Sequence, residues 1–134
     1  MLKLCTLVFF SGFLFSAAVL LAQNASSDSC SNPAEVSKMV NPVKPSPESI
    51  ALGKKYYGYD CAMCHGANGN GKGDIDTGEK LLDFTNPDSL KDKSDGELYC
   101  SLKVGKGHMP LEPVRTAAPN NLWNLINYVR SLSK

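Results

Sequence analysis

The stretch Cys61-Ala62-Met63-Cys64-His65 decides how the rest of the chain is interpreted. A Cys-x-x-Cys-His pentapeptide is typical of a c-type haem attachment site. Each thiol would add across one vinyl group of the haem, and the two-residue spacer sets the sulfurs at the separation of those groups. The adjacent His65 would then lie beneath the porphyrin, where a ring nitrogen can reach the iron. The motif therefore predicts one covalent haem c, tethered by Cys61 and Cys64 and ligated by His65.

Two other uses of a Cys-x-x-Cys pair compete with this interpretation. A redox dithiol usually lies in a βαβ setting, and the flanking sequence does not show one. A zinc site needs a second ligand pair at suitable spacing, and the other three cysteines are Cys5, Cys30 and Cys100, which include no such pair. Both comparisons favour haem.

A second axial ligand is expected from a methionine, because a His/Met pair is the axial set of electron-transfer cytochromes c. Met1 belongs to the apolar N-terminus, Met39 precedes the haem motif in a Pro-rich stretch, and Met63 lies inside the motif. Met109 lies downstream, in Gly105-Lys106-Gly107-His108-Met109-Pro110. The glycines allow tight turns, and Pro110 restricts Met109 to extended conformations. These properties suit a loop that presents one sulfur to the iron.

Two alternatives to Met109 as the ligand remain at this point. His108 is the only other histidine of the chain besides His65, and bis-His ligation would lower the reduction potential. Met109 could also simply fill a gap in the core. The Met-Pro step favours Met109, and His108 is more readily interpreted as a residue on the rim of the site.

From about residue 50 to residue 132 the chain resembles a small class I cytochrome c, of the type grouped with cytochrome c6-like and cbb3-oxidase-type haem domains. The matching features are Gly53, the pentapeptide with Gly66, Gly69 and Gly71, Asp83-Phe84-Thr85, Ser94 to Tyr99, Gly105 with Met109-Pro110, and Trp123 through Leu132. The resemblance implies an all-α fold wrapped around one haem c, with His65 and Met109 as axial iron ligands. It also implies electron transfer rather than substrate chemistry.

The N-terminus predicts export. Residues 4–22 carry no charge and are rich in Leu, Phe, Ala and Val, which is typical of a secretory signal peptide. The apolar run is also nearly long enough to span a bilayer, which needs roughly 20 apolar residues. Cleavage near Ala22 is the preferred interpretation. The alternative is an uncleaved N-terminal anchor over residues 1–22. In either case the haem domain is expected in the periplasm, since the resemblance implies haem attachment outside the cytoplasm.

The length of 134 residues allows one domain with a short extension. Residues 23–47 are rich in Ser, Asn and Pro and are expected to form a flexible arm, either a linker or a segment laid on the domain. Residues 48–134 are expected to form the cytochrome c domain. Cys30 and Cys100 remain outside the leader and the haem motif, so they either form a disulfide or stay as a free thiol and a buried one.

Three helices are predicted in the domain. The first begins at Ser46-Pro47, a capping residue followed by proline at the first helical position, and the second begins at the capping box Ser94-Asp95-Gly96-Glu97 and ends at Gly105. Apolar residues at helical spacing predict the third over residues 122–132. A glycine such as Gly53 lowers the stability of a helix interior relative to alanine. In the family that the chain resembles, the first and last helices cross at a glycine. We therefore expect Gly53 to approach Leu125 and Tyr128, with Tyr57 nearby.

The expected function is that of a monohaem electron carrier, not an enzyme, which meets its redox partners in transient contacts. Those partners would be a dehydrogenase, an oxidase or another cytochrome. The alternatives are a fixed or membrane-anchored cytochrome subunit of a dehydrogenase or terminal oxidase complex, and a haem enzyme such as a peroxidase, which would need an open iron position that Met109 argues against. The formal net charge is +1, and the basic residues form no stripe along the sequence. Nucleic-acid binding therefore has no support.

Overall fold

The computed structural model describes residues 29–110, residue 118 and residues 120–133. The predicted signal peptide or anchor over residues 1–22 lies outside the described residues, as does the segment 111–117. The described residues contain five α-helices, a single 3₁₀ turn and no strand. The helices are α1 (Pro33–Val36), α2 (Pro47–Asp60), α3 (Ala62–His65), α4 (Asp95–Val104) and α5 (Asn121–Ser131), and the 3₁₀ turn is Pro87–Ser89. The predicted all-α fold is confirmed.

None of the helices among the described residues has the length and apolar character needed to cross a membrane.

Helix α2 begins where the sequence predicted. The Ser46 side chain accepts a hydrogen bond from the Ser49 backbone N–H at 3.2 Å, and Pro47 occupies the first helical position. This cap satisfies one of the backbone donors that the first helical turn leaves without a partner. The helix runs to Asp60 and ends at Cys61, so its C-terminus delivers the chain directly to the haem motif.

Helices α2 and α5 cross at Gly53. A Cβ atom on Gly53 would overlap the backbone carbonyl oxygen of Asn124 and would lie 2.8 Å from the Cβ atom of Tyr128. The rings of Tyr57 and Tyr128 meet edge to face beside the crossing, with their centroids 5.2 Å apart. The predicted close approach is confirmed for Tyr128, and the nearest atom to the added Cβ is the carbonyl oxygen of Asn124, in the peptide group that leads into Leu125. The Leu125 side chain is completely buried in the core.

Helix α4 is fixed at both ends. Its capping box is complete, because the Ser94 side chain accepts from the Glu97 N–H at 3.1 Å and the Glu97 carboxylate accepts from the Ser94 N–H at 2.7 Å. Arg130 of α5 donates to the Asp95 carboxylate at 2.9 and 3.0 Å and to the Leu90 carbonyl at 2.9 Å. The helix ends at Gly105, whose φ of 79° lies in the left-handed region. The position of α4 therefore determines where the following loop begins.

The capping box gives the first testable prediction. Removing the side-chain acceptor with Ser94→Ala should lower the free energy of unfolding by about 1 kcal/mol.

The Ser94 backbone N–H, which donates to the Glu97 carboxylate, lowers the pKa of that carboxyl. The stabilisation is therefore present at pH above the ordinary pKa and is lost as the pH falls through the lowered value. Urea unfolding of Glu97→Gln should show a deficit at neutral pH that vanishes in acid, and a deficit independent of pH would contradict the assignment.

The described part of the N-terminal arm lies on the domain. A disulfide joins Cys30 to Cys100 of α4, with the two Cα atoms 5.4 Å apart. The Asn41 amide donates to the Asn127 side chain at 2.8 Å, and the Asn127 amide donates to the Val43 carbonyl at 3.0 Å. Residues 29–46 therefore correspond to the alternative of a segment laid on the domain, and the Cys30–Cys100 pairing to the disulfide alternative. Composition did not identify the amide partners, because they are distant in sequence.

Candidate functional site

An apolar pocket lies between the helices of the described fold. Its volume of about 480 Å³ falls within the range of roughly 300–1,000 Å³ usual for cofactor and ligand sites. Helices α4 and α5, the ends of α2 and α3, and the segment from Leu82 to Leu90 contribute its walls. Three of the predicted site residues line it, namely Cys61, His65 and Met109. Cys64 is half-buried but is not among the lining residues.

The haem motif forms a single helical turn. Backbone hydrogen bonds run from the N–H groups of Cys64 and His65 to the carbonyl of Cys61, at 3.2 and 2.8 Å. Residues three and four positions apart lie on one face of a helix, so this turn places Cys61, Cys64 and His65 together. Met63 lies on another face, with half of its surface exposed. The local backbone therefore presents two thiols and an imidazole from one side.

His65 is held in an apolar setting. Its ring stacks on Phe84, with the centroids 4.9 Å apart and the planes 24° from parallel. Burial lowers the pKa of His65, which favours the neutral imidazole that ligates metals. The Nδ1 atom is buried with no hydrogen-bond partner among the described residues. A buried polar atom without a partner costs about 1–3 kcal/mol, so a ligand for this ring is expected in the functional protein.

The end of α3 is anchored by contacts within the chain. The Tyr57 hydroxyl donates to the Gly66 carbonyl at 2.8 Å, and burial raises the pKa of Tyr57, so the donor proton stays in place. The backbone at Gly73 packs closely on the motif, since a Cβ there would lie 2.5 Å from the Cys64 carbonyl carbon. These contacts hold the end of α3 that carries His65.

Met109 lies in a tight turn after α4. Lys106 and Met109 form an isolated antiparallel bridge, with two backbone hydrogen bonds of 3.0 Å each. The Met109 side chain is partly buried and lines the cavity. The bridge closes the turn, so the methionine is presented from a constrained backbone.

The alternative ligands lie elsewhere. The His108 side chain is 76% exposed, and its Nδ1 atom lies 3.0 Å from the Glu79 carboxylate. Neither His108 nor Met39 nor Met63 lines the cavity. Within the described part of the chain, no group of three or more His, Cys, Asp or Glu side chains is arranged to hold a metal ion by itself. The structure thus brings His65 and Met109 to one cavity, whereas His108, the alternative ligand, lies outside it.

Two kinds of site residue escaped the sequence analysis. Phe84, which stacks on His65, was part of the matched Asp83-Phe84-Thr85 stretch but was given no role. Its position follows from a hydrogen bond of 2.7 Å from its N–H to the Gly69 carbonyl, a contact with no sequence signature. Two residues of the arm, Cys30 and Val36, also line the cavity. The composition of the arm did not predict this position for them.

Comparison with known proteins identifies the class. The sequence profile of the cytochrome c family matches residues 50–133, and the chain belongs to that family. Members bind one covalently attached haem c per domain and transfer electrons, so this is the cofactor of the domain.

Among individual proteins, the chain is 26% identical over 99 residues to the Cbb3-type cytochrome c oxidase subunit CcoP of Rubrivivax gelatinosus, covering 73% of this chain and 31% of that subunit. It thus spans about a third of that relative's length. A solved structure of the Kuenenia stuttgartiensis reducing HAO-like protein complex Kustc0457/Kustc0458 matches with a TM-score of 0.57 and 27% identity, over 69% of this chain and 47% of that one. The c-type cytochrome KustC0563 matches with a TM-score of 0.53 and 26% identity, over 61% of this chain and 98% of that one.

The residues present fit haem c. The apolar cavity suits a large apolar disc, the thiols of Cys61 and Cys64 share a helical face, and the buried imidazole of His65 lacks a partner at Nδ1. A thioether, Met109, lines the same cavity. This donor set of two thiols, one imidazole and one thioether contains every protein group that a six-coordinate haem c requires.

Proposed function

We propose that this protein is a monohaem electron carrier of the periplasm, with Cys61 and Cys64 as the covalent tethers and His65 and Met109 as the axial iron ligands. The observation that carries the proposal is that His65 and Met109, from separate parts of the chain, line the same apolar cavity beside Cys61. With both axial positions taken by the protein, substrate has no place at the iron. This supports electron transfer without catalysis.

The chain's own residues would contribute positioning and exclusion of water. Haem c supplies a one-electron couple when it is bound. Phe84 and the Tyr57–Gly66 hydrogen bond keep the His65 ring in place, and the Lys106–Met109 bridge keeps the thioether in place. Because both ligands are held by backbone that does not depend on the oxidation state, little rearrangement accompanies electron transfer. The apolar walls keep the site dry, which together with the thioether raises the reduction potential.

Export is supported by two independent features. The apolar N-terminal segment has the composition of a signal peptide. The disulfide between Cys30 and Cys100 is a bond that persists in oxidising compartments and is rare in the cytosol. Both features favour the periplasm, and an uncleaved leader would anchor the same domain at the outer face of the inner membrane.

A second candidate function is that of a fixed cytochrome subunit. Two of the similar proteins are described as an oxidase subunit and as part of an HAO-like complex. In that case the domain would pass electrons within one assembly rather than between diffusing partners. The redox chemistry of the site would be the same, and the association state would differ.

Haem attachment tests the site directly. The exported chain should gain the mass of one haem, and the purified protein should cycle reversibly by one electron. Cys61→Ala combined with Cys64→Ala should abolish covalent attachment, whereas substitution of the remote pair Cys30 and Cys100 should leave the haem attached. A wild-type chain without covalent haem, or a double Cys61/Cys64 variant that retains it, would refute the assignment.

Fractionation separates the two candidate functions. A carrier should be recovered in the soluble periplasmic fraction as a mature chain that begins near Gln23. A subunit should co-purify in a fixed ratio with other proteins, or remain in the membrane fraction with residues 1–22 intact. Recovery of the haem protein only in a stoichiometric complex would overturn the carrier proposal in favour of the subunit.

A further inference from the structure

The cavity has a wall that lies outside the family domain. The cytochrome c profile begins at residue 50, whereas Cys30, Pro33, Val36 and Ser37 line the cavity as well. These residues belong to the arm and to α1, the short helix within it. Val36 is only 7% exposed although its helix is four residues long. A segment that the family domain does not supply therefore contributes to the cofactor site of this chain.

The wall is attached to α4 at two points. One is the disulfide from Cys30 to Cys100, and both cysteines line the cavity. The other is the contact at Gly96, where a Cβ atom would overlap the Val36 carbonyl oxygen and approach the Met39 Cβ to 2.7 Å. Gly96 thus allows the backbone of α1 to lie directly on α4. The first attachment is covalent, whereas the second depends on packing.

We propose that the arm is a functional part of the haem site: its α1 wall keeps water out of the cavity and raises the reduction potential, and the Cys30–Cys100 disulfide locks that wall in place. The inference rests on the proposed binding of haem in this cavity. It assigns to Cys30, Cys100 and Val36 a positioning role that the cytochrome c domain alone does not account for.

The direction of the effect follows from charge. The ferric site carries one more positive charge than the ferrous site, and water stabilises the more highly charged form. A wall that excludes water therefore favours the ferrous form and raises the potential, as burial does for haem sites in general. Without the disulfide, the arm is held by packing and side-chain hydrogen bonds, and the wall opens more often. Water then enters the cavity and the potential falls.

Spectroelectrochemistry of the purified holoprotein tests the proposal. In Cys30→Ser combined with Cys100→Ser, the ferrous-to-ferric equilibrium should shift about tenfold toward the ferric form, which is ~59 mV for a one-electron couple. Val36→Ser, which keeps the disulfide but makes the wall polar, should shift it in the same direction. The matched control is Val40→Ser, because Val40 lies in the same arm with 81% of its surface exposed and does not line the cavity. Its potential should equal that of the wild type.

The outcomes separate the inference from the proposed function. If the wild-type chain carries no covalent haem, the proposed function fails. If haem is attached and both the disulfide variant and Val36→Ser keep the equilibrium within about twofold of the wild type, the wall has no role in the potential and the inference is overturned. A disulfide variant that fails to fold leaves Val36→Ser to decide. A shift in Val40→Ser equal to that in Val36→Ser would also overturn it, because the effect would not depend on the cavity wall.

Discussion

Replacing Met109 with alanine is expected to remove the sulfur-to-iron charge-transfer band of the oxidised protein and to lower its reduction potential on the order of 0.2 V, within the ~0.8 V span that axial ligands control. The thioether favours the ferrous iron, and its loss leaves an axial position to water or to an added ligand. The cavity-lining position of Met109 and its closed turn motivate this prediction. Absorption spectra and potentiometry of the holoprotein measure both effects.

Two matched variants control this result. Met63→Ala removes the same side chain from an exposed position within the haem motif and should leave the band and the potential unchanged. His108→Ala removes the rival ligand, which is exposed and paired with Glu79, and should also leave the band intact. If the band persists in Met109→Ala, or disappears in His108→Ala, Met109 is not the ligand.

Gly53→Ala is expected to destabilise the fold strongly. The added Cβ would overlap the Asn124 carbonyl and press on Tyr128, and neither partner is the flexible end of a side chain. Helices α2 and α5 would have to separate, and overpacking of this kind costs about 1–3 kcal/mol. We expect the upper end of that range because backbone meets backbone. Urea unfolding of the holoprotein gives the change in free energy.

Gly58 provides the control in the same helix. A Cβ atom on Gly58 meets nothing within 4 Å, so Gly58→Ala should gain helix propensity and stabilise the protein by up to about 1 kcal/mol. The two glycines of α2 should therefore respond to the same substitution with opposite signs. Equal effects at the two positions would show that the helix crossing does not depend on Gly53.

Local signals in the sequence predicted the main helices and much of the site. The capping box at Ser94 and the terminator at Gly105 bounded α4, and the apolar spacing from Leu122 to Leu132 located α5 within a residue of its ends. The order of the haem motif and the Met-Pro step predicted that His65 and Met109 would serve one site, and both line one cavity. Each of these features is short-range, so the sequence around it is sufficient to detect it.

Features that depend on distant partners were not predictable in the same way. Phe84 takes its place through a hydrogen bond to Gly69 and a stack on His65. The arm is fixed through the buried amide of Asn127, which donates to Ser49 at 2.7 Å as well as to Val43. An asparagine on the buried side of a helix, such as Asn127 of α5, indicates a hydrogen-bond network, but its partners depend on the folded arrangement. Composition was compatible with a flexible linker or with a segment laid on the domain, because it does not identify hydrogen-bond partners.

The disulfide also bears on how the four cysteines of the chain can pair as it matures. Four cysteines follow residue 28, and four thiols allow three ways of forming two disulfides. Cys61 and Cys64 lie within one helical turn of each other, so oxidation of this pair competes with thioether formation. Cys30 and Cys100, 70 residues apart, are joined as a disulfide. If Cys61 and Cys64 tether the haem as proposed, they must reach it as thiols, so maturation would treat the two cysteine pairs of this chain in opposite ways. An error at either pair would then leave the cavity without its cofactor or without its proposed wall.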